Sequence, residues 1–177
     1  MSRYDIRYTW AMAMCSACGA EFVQNTGRGR KARFCGTACR MRAYRARRMP
    51  REMTRGRRWV AADGKRPIRP DGRPASTTDP ATWSDYADVR DMPHGVMLGG
   101  GLGCYDMDHV TDEQARTFAR TIPEPVVFVE RSISGNGVHI FVQAPESRGW
   151  RKSVNGISVE RYTRARFIRV TGHALKL

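Results

Sequence analysis

Four of the chain's five cysteines fall between residues 15 and 39, in a stretch too poor in apolar residues to fold around a core of its own. They stand as Cys15-Ser16-Ala17-Cys18 and Cys35-Gly36-Thr37-Ala38-Cys39, with sixteen residues between the pairs. Two such pairs are the spacing of four thiolates around one tetrahedral ion, and ligation supplies the folding energy that burial does not. Gly19, next after the first pair, suits a knuckle whose backbone amides turn toward the sulfurs. Residues 1–20 hold no long apolar run, and no segment approaches the roughly 20 apolar residues needed to cross a bilayer. A cytoplasmic chain without a membrane span is expected, so the four cysteines read as ligands of one structural Zn2+ rather than as disulfides. Cys104, in an apolar run, reads as a buried hydrophobe.

Between the pairs, residues 21–23 and 32–34 read as a short hairpin. The second pair opens a helix over 37–48, in which Arg40, Arg42, Arg45, Arg47 and Arg48 surround Tyr44. Charge marks the same segment: the net is +14, and residues 1–58 carry 15 basic against 3 acidic groups, whereas residues 59–177 carry 16 against 14. An anionic polymer is the partner that such an excess attracts, with Arg40, Arg42, Arg45 and Arg47 expected against the phosphates of a nucleic acid. The rest of the chain is nearly neutral and carries an acidic site of its own.

The expected domains are a cysteine module with its basic helix over 1–48, a Pro-, Arg- and Met-containing linker over 49–58, and a larger domain over 59–177. In the larger domain, residues 59–62 read as a first strand, 65–74 as a cationic loop, and 79–89 as a helix with Trp83, Tyr86 and Val89 on its apolar stripe. Residues 95–98 and 102–106 read as a hairpin about Gly99-Gly100-Gly101. Thr111 with Gln114 is a capping box for a helix to 121, and strands follow at 126–131, 138–144, 157–162 and 166–171. The class is α+β, with hairpin-linked strands in an antiparallel or mixed sheet covered by two helices.

Tyr105-Asp106-Met107-Asp108-His109 is the most informative segment chemically. Strand residues two apart share a face, so Asp106 and Asp108 project together, as oxygen ligands of hard divalent cations do. That geometry suits phosphoryl chemistry.

These segments, with Trp59, Lys65-Arg66-Pro67, Gly72-Arg73-Pro74-Ala75-Ser76, Trp83, Ser132-Ile133-Ser134-Gly135-Asn136-Gly137-Val138-His139, Glu160-Arg161-Tyr162, Arg166-Phe167 and Thr171-Gly172, resemble the phage and plasmid primase-polymerases of the archaeo-eukaryotic primase superfamily in content and order. The resemblance runs over about residues 59–173. It implies an RNA-recognition-like sheet and a nucleotidyltransferase that joins nucleoside triphosphates on a DNA template inside a bacterial host cell. Two Mg2+ or Mn2+ ions would be bridged by Asp106 and Asp108, with Glu160 completing the attacking side; such ions sit about 3.5–4 Å apart. The turn of Ser134, Gly135 and Gly137 would aim amides at the triphosphate, His139 would donate to it, and Arg166, Lys65 and Arg66 would add charge. His109 and His173 read as structural.

Two other readings use the same residues. A zinc-finger replication initiator or regulator would keep the primase-like domain as a scaffold, but a scaffold has no need of three acidic groups on one face. A metal-dependent nuclease would use similar carboxylates, but has no triphosphate for the glycine turn. No Gly-x-x-x-x-Gly-Lys-Ser/Thr loop is present, so unwinding is expected from a separate replicative helicase.

Overall fold

The computed structural model describes residues 10–25, 27, 29–46 and 49–176, the side chains of 42 and 44–46 excepted. The chain divides into two compact units, Met1–Arg48 and Met49–Leu177.

In the first unit, β1 (Trp10–Met14) pairs antiparallel with β2 (Glu21–Asn25), Trp10 standing opposite Asn25. The hairpin thus forms one step earlier than the residues around it suggested, and the Cys15 to Cys18 knuckle is its turn. The Cys15 N–H donates to Ala20 O at 2.8 Å, the Gly19 N–H donates to Cys15 O at 2.9 Å, and Gly19 takes a positive φ of 74°. Residues 32–34 form no strand; Arg33 instead returns its carbonyl to the Ser16 N–H at 2.9 Å. The helix α1 (Thr37–Ala46) starts where expected, and residues 47 and 48 lie outside the described residues.

The second unit is α+β, with two antiparallel sheets and few helices. One sheet has the order β11-β5-β3-β4, from β3 (Trp59–Asp63), β4 (Arg66–Ile68), β5 (His94–Met97) and β11 (Phe167–Val170). The other has the order β7-β8-β6-β10-β9, from β6 (Leu102–Met107), β7 (Val126–Arg131), β8 (Val138–Gln143), β9 (Trp150–Val154) and β10 (Ile157–Tyr162). A core of Trp59, Val96, Leu98 and Ile168 from the first sheet and Cys104, Phe128 and Phe141 from the second joins them. Residues alternating with these on the five-stranded sheet, among them Tyr105, Met107, Val129 and Ile140, pack with α4 (Asp112–Ala119) in a second core. β8 is buried on both faces and is accordingly almost continuously apolar.

The capping box of α4 forms as expected, Thr111 Oγ1 accepting from the Gln114 N–H at 3.2 Å and Gln114 Oε1 from the Thr111 N–H at 2.9 Å. Four expectations are corrected. Residues 95–98 and 102–106 are not hairpin partners: Gly99, Gly100 and Gly101 all take positive φ (141°, 55° and 90°) and carry the chain from one sheet into the other. Residues 79–89 are not one helix, because Trp83 is extended and Ser84 bridges to Trp59, leaving a 3-10 turn (Pro80–Thr82) and a short α3 (Tyr86–Val89). The cationic loop contains β4, and the segment read as a linker contains α2 (Arg51–Thr54), whose Met53 is fully buried and accepts from the Trp59 indole N–H at 2.9 Å. Gly95 is required where it stands, since a Cβ there would meet Ile168 O at 2.3 Å.

Candidate active site and cysteine centre

Register sets the site. Glu130 lies opposite His139, His139 opposite Asp106, Asp106 opposite Glu160, and Glu160 opposite Arg151, so one row of polar residues crosses all five strands. Opposite residues on neighbouring strands share a face with Cβ atoms about 4.5–5.5 Å apart. Two residues further along each strand, the same face carries Phe128, Phe141, Cys104 and Tyr162, which pack in the core between the sheets. The polar row therefore runs along the margin of that core, where the sheets part around a cavity of about 470 Å³.

Asp106, Asp108, His139, Ser132, Ile133 and Ser134 line this cavity from the five-stranded side, and Lys65, Pro67, Thr77, Arg166 and Arg169 stand around the rest. Of the residues expected from sequence, Lys65, Asp106, Asp108, Ser134, His139 and Arg166 are thus brought together. Asp108 lies just past the end of β6 and is exposed. Arg66 is turned away, its Nη2 donating to Asp63 Oδ2 at 2.7 Å, and is not among the lining residues. Gly135 and Gly137 shape the turn: Gly135 has φ of 77°, and a Cβ on Gly137 would sit 2.7 Å from Ser132 Oγ and 2.8 Å from Met107 O. His109 has a positive φ of 53° and is exposed, and His173 is exposed with its carbonyl accepting from the Arg131 N–H at 3.0 Å.

Glu160 lies opposite Asp106 with three polar neighbours. Tyr162 Oη donates to its Oε2 at 2.8 Å, Arg166 lies 3.6 Å from the same oxygen, and Arg151 lies 3.5 Å from Oε1. The Arg166 guanidinium stacks over the Tyr162 ring at 4.3 Å. Burial raises the Asp106 carboxyl above the usual range, His139 opposes that rise, and the charges of Asp108 and Glu160 add to it. Neighbouring carboxylate oxygens are a donor set for hard divalent cations, and Asp106, Asp108 and Glu160 fit that requirement in kind. Their oxygens do not all lie within 4.8 Å of one another, so they form an open bank rather than a closed cage.

Two buried or half-buried charged residues of this region were not evident from sequence. Glu130 is fully buried and His139 Nδ1 lies 3.0 Å from its Oε1. Period-2 reading held the signal: Phe128 and Glu130 share a face, so a strand that buries one buries the other. Arg169 donates through Nη1 to the carbonyls of His94 and Val170, and its Nε is buried with no hydrogen-bond partner. Burial lowers its pKa.

In the first unit the ligand atoms of Cys15, Cys18, Cys35 and Cys39 all lie within 4.8 Å of one another, the only such group of three or more among the described residues. Four sulfurs held about 2.3 Å from a central ion lie about 3.8 Å apart. Cys18 Sγ and Cys35 Sγ are 3.8 Å apart, and Cys35 Sγ and Cys39 Sγ are 3.5 Å apart. The thiols titrate apart: the Cys35 N–H, 3.4 Å from Cys15 Sγ, lowers Cys15 to about 6, while hydrogen bonding to the sulfurs of Cys39 and Cys15 pushes Cys35 up to about 12. One negative charge in the cluster discourages the next, and a cation relieves this. On α1, Arg40 is exposed; the side chains of Arg42 and Arg45, and all of Arg47, lie outside the described residues.

A family model described as bifunctional DNA primase/polymerase, N-terminal, matches residues 26–174. A DNA primase-polymerase of Nitratiruptor phage NrS-1 is 31% identical over 144 residues, which cover 68% of this chain and 20% of the relative. The chain thus spans about one fifth of the length of that relative.

Proposed function

The chain belongs to the bifunctional DNA primase/polymerase family, and on that premise we propose that it is a template-dependent nucleotidyltransferase acting on nucleoside triphosphates in phage or plasmid replication. The observation that carries this reading is the row Glu130, His139, Asp106 and Glu160 across neighbouring strands, of which His139 and Asp106 line the cavity. On this reading the row would serve a cation-binding bank and an anion-binding face at the same space.

Asp106, Asp108 and Glu160 would hold two Mg2+ or Mn2+ ions. Such ions lower the pKa of an attacking 3' hydroxyl and neutralise charge on the leaving pyrophosphate. The chain's own groups do the positioning. His139, Ser134, Lys65 and Arg166 face the cavity from different elements and would grip the triphosphate. Tyr162 donates to Glu160 and would keep it beside Asp106, with Arg166 flanking the same oxygen. In the first unit, Cys15, Cys18, Cys35 and Cys39 would bind one structural Zn2+, and Arg40, Arg42, Arg45 and Arg47 would meet DNA phosphates. Among the described residues no helix is long and apolar enough to cross a membrane, and strand separation would fall to a separate helicase.

The test is direct. Purified protein is given single-stranded DNA, with and without a primer, labelled nucleotides, and Mg2+ or Mn2+ in turn. Template-directed incorporation that depends on a divalent ion supports the reading. No incorporation under any of these conditions, with DNA binding intact, favours a zinc-finger initiator or regulator with a primase-like scaffold.

A further inference from the structure

The mechanism proposed above leaves the buried Glu130 without a task. Glu130 is fully buried, yet no arginine or lysine pairs with it in an ion bridge among the described residues. A buried carboxylate is costly unless its oxygens are satisfied. Here they are satisfied by division of labour. Oε2 accepts from the backbone N–H groups of Thr171 at 3.0 Å and Gly172 at 2.8 Å, with Thr171 Oγ1 at 3.1 Å. Oε1 faces His139 Nδ1 at 3.0 Å, and His139 Nε2 lies 3.6 Å from Asp106 Oδ1.

We infer that Glu130 is the positioning residue of His139: its carboxylate keeps a hydrogen on Nδ1 and so turns Nε2 toward Asp106 and the cavity, an inference that rests on the nucleotidyl-transfer reading for its catalytic meaning. The logic is one of donors and acceptors. An ionised carboxylate only accepts, so the nitrogen facing it carries the hydrogen. The two backbone N–H groups anchor the other oxygen, and neither can be withdrawn without unpairing the segment that follows β11. That segment is tied to β7 on both sides of Glu130, by the bonds from the Arg131 N–H to His173 O at 3.0 Å and from the Leu175 N–H to Val129 O at 2.9 Å. The Phe141 ring meets the imidazole nearly edge-on, with centroids 6.1 Å apart, and limits its tilt. Where the ring takes up a second hydrogen on Nε2 at a bound phosphate, the carboxylate at Nδ1 stabilises the resulting cation, and Nε2–H is then a charge-assisted donor, about twice as strong as the neutral one left in a ring without that partner.

Glu130→Gln tests this with almost no change of shape. The N–H groups of Thr171 and Gly172 still need an acceptor, which only the amide oxygen provides. The amide nitrogen is then forced to face His139 Nδ1, where two hydrogens cannot meet, and the ring hydrogen moves to Nε2. Nitrogen-15 NMR of the imidazoles in the full chain, with His139 assigned by its loss in His139→Asn, reads this without any assay of activity. The expected result is a hydrogen on Nδ1 in the wild type and on Nε2 alone in E130Q. Nucleotide KM should rise about tenfold with a smaller change in kcat, the low end of what orienting partners of functional histidines contribute. Should E130Q fail to fold, the wild-type spectrum still decides, since a bare Nδ1 there overturns the inference. A tautomer shift with unchanged KM and kcat overturns the positioning role. If the wild type incorporates no nucleotide but the ring hydrogen moves as described, the polymerase reading fails and the Glu130 to His139 relation stands.

Discussion

Asp106 and Glu160 stand directly opposite each other on β6 and β10, and it is Tyr162, not a second cation, that makes the closest polar contact with the Glu160 carboxylate. The phenol donates at 2.8 Å while Arg166 and Arg151 stay at 3.6 and 3.5 Å. Long arginine contacts of that kind, with the Arg151 and Arg166 side chains 68% and 46% exposed, leave the carboxylate's charge available to a metal.

Tyr162→Phe therefore isolates the hydrogen bond while keeping the ring on which Arg166 stacks. With its donor partner gone, Glu160 samples more rotamers, and the metal concentration for half-maximal incorporation should rise by about tenfold, within the range seen for outer partners of metal ligands. A metal titration of activity checks this, with an unchanged midpoint counting against a ligand role for Glu160.

Much of this geometry was legible in the sequence, and the gaps have physical causes. Strands with a strong apolar pattern, such as the continuously buried β3 and β8 and the more alternating β7 and β10, stood out because burial demands apolar residues, and Asp106 and His139 were visible as polar interruptions in such strands. β9 escapes sequence reading because Arg151, Lys152 and Ser153 are all exposed on a sheet edge, where nothing enforces alternation. β4 escapes it because turn residues and cations dominate its surroundings. Which sheet a strand joins is a long-range property, so β5 and β6 read as partners when a glycine turn in fact sends them to different sheets. Arg66 resembled Lys65 in sequence, but Lys65 stands in the turn before β4 and lines the cavity, whereas Arg66 opens β4 opposite Asp63 and pairs with it.

Metal analysis of the first unit is the next expectation. One zinc per chain should be found, and a chelator should unfold residues 15–39 while leaving the larger unit's far-ultraviolet signal in place. Cys35→Ser should lose the ion under reducing conditions as well. Zinc absent from undamaged, reduced protein would remove the structural role assigned to the four thiolates.

For the basic helix, replacing Arg40, Arg42 and Arg45 by Ala should weaken binding to all DNA sequences alike. The slope of log K against log salt should shrink by roughly 0.7–0.9 for each phosphate no longer neutralised. An unchanged slope would locate the DNA path elsewhere on the protein.

Asp106 offers the sharpest separation of stability from chemistry. Its carboxyl is held above the ordinary range in the folded state, first by burial and then by Asp108 and Glu160. For an acid raised in this way, the unfolded chain ionises at lower pH than the native one. Its contribution to stability is therefore most favourable in acid and declines as pH rises from the unfolded pKa through the folded one. Asp106→Asn removes that decline, so without divalent ions the variant should melt no lower than the wild type at neutral pH, and its melting temperature should depend less on pH between the two values. Activity should move the other way. Losing the charge that holds the cations should cut incorporation by orders of magnitude, with DNA binding retained or strengthened. His139→Ala should instead raise nucleotide KM more than it lowers kcat, as expected for an interaction made about equally in ground and transition states. A wild-type rate from Asp106→Asn with either Mg2+ or Mn2+ would mean that the acidic bank is not where the reaction occurs.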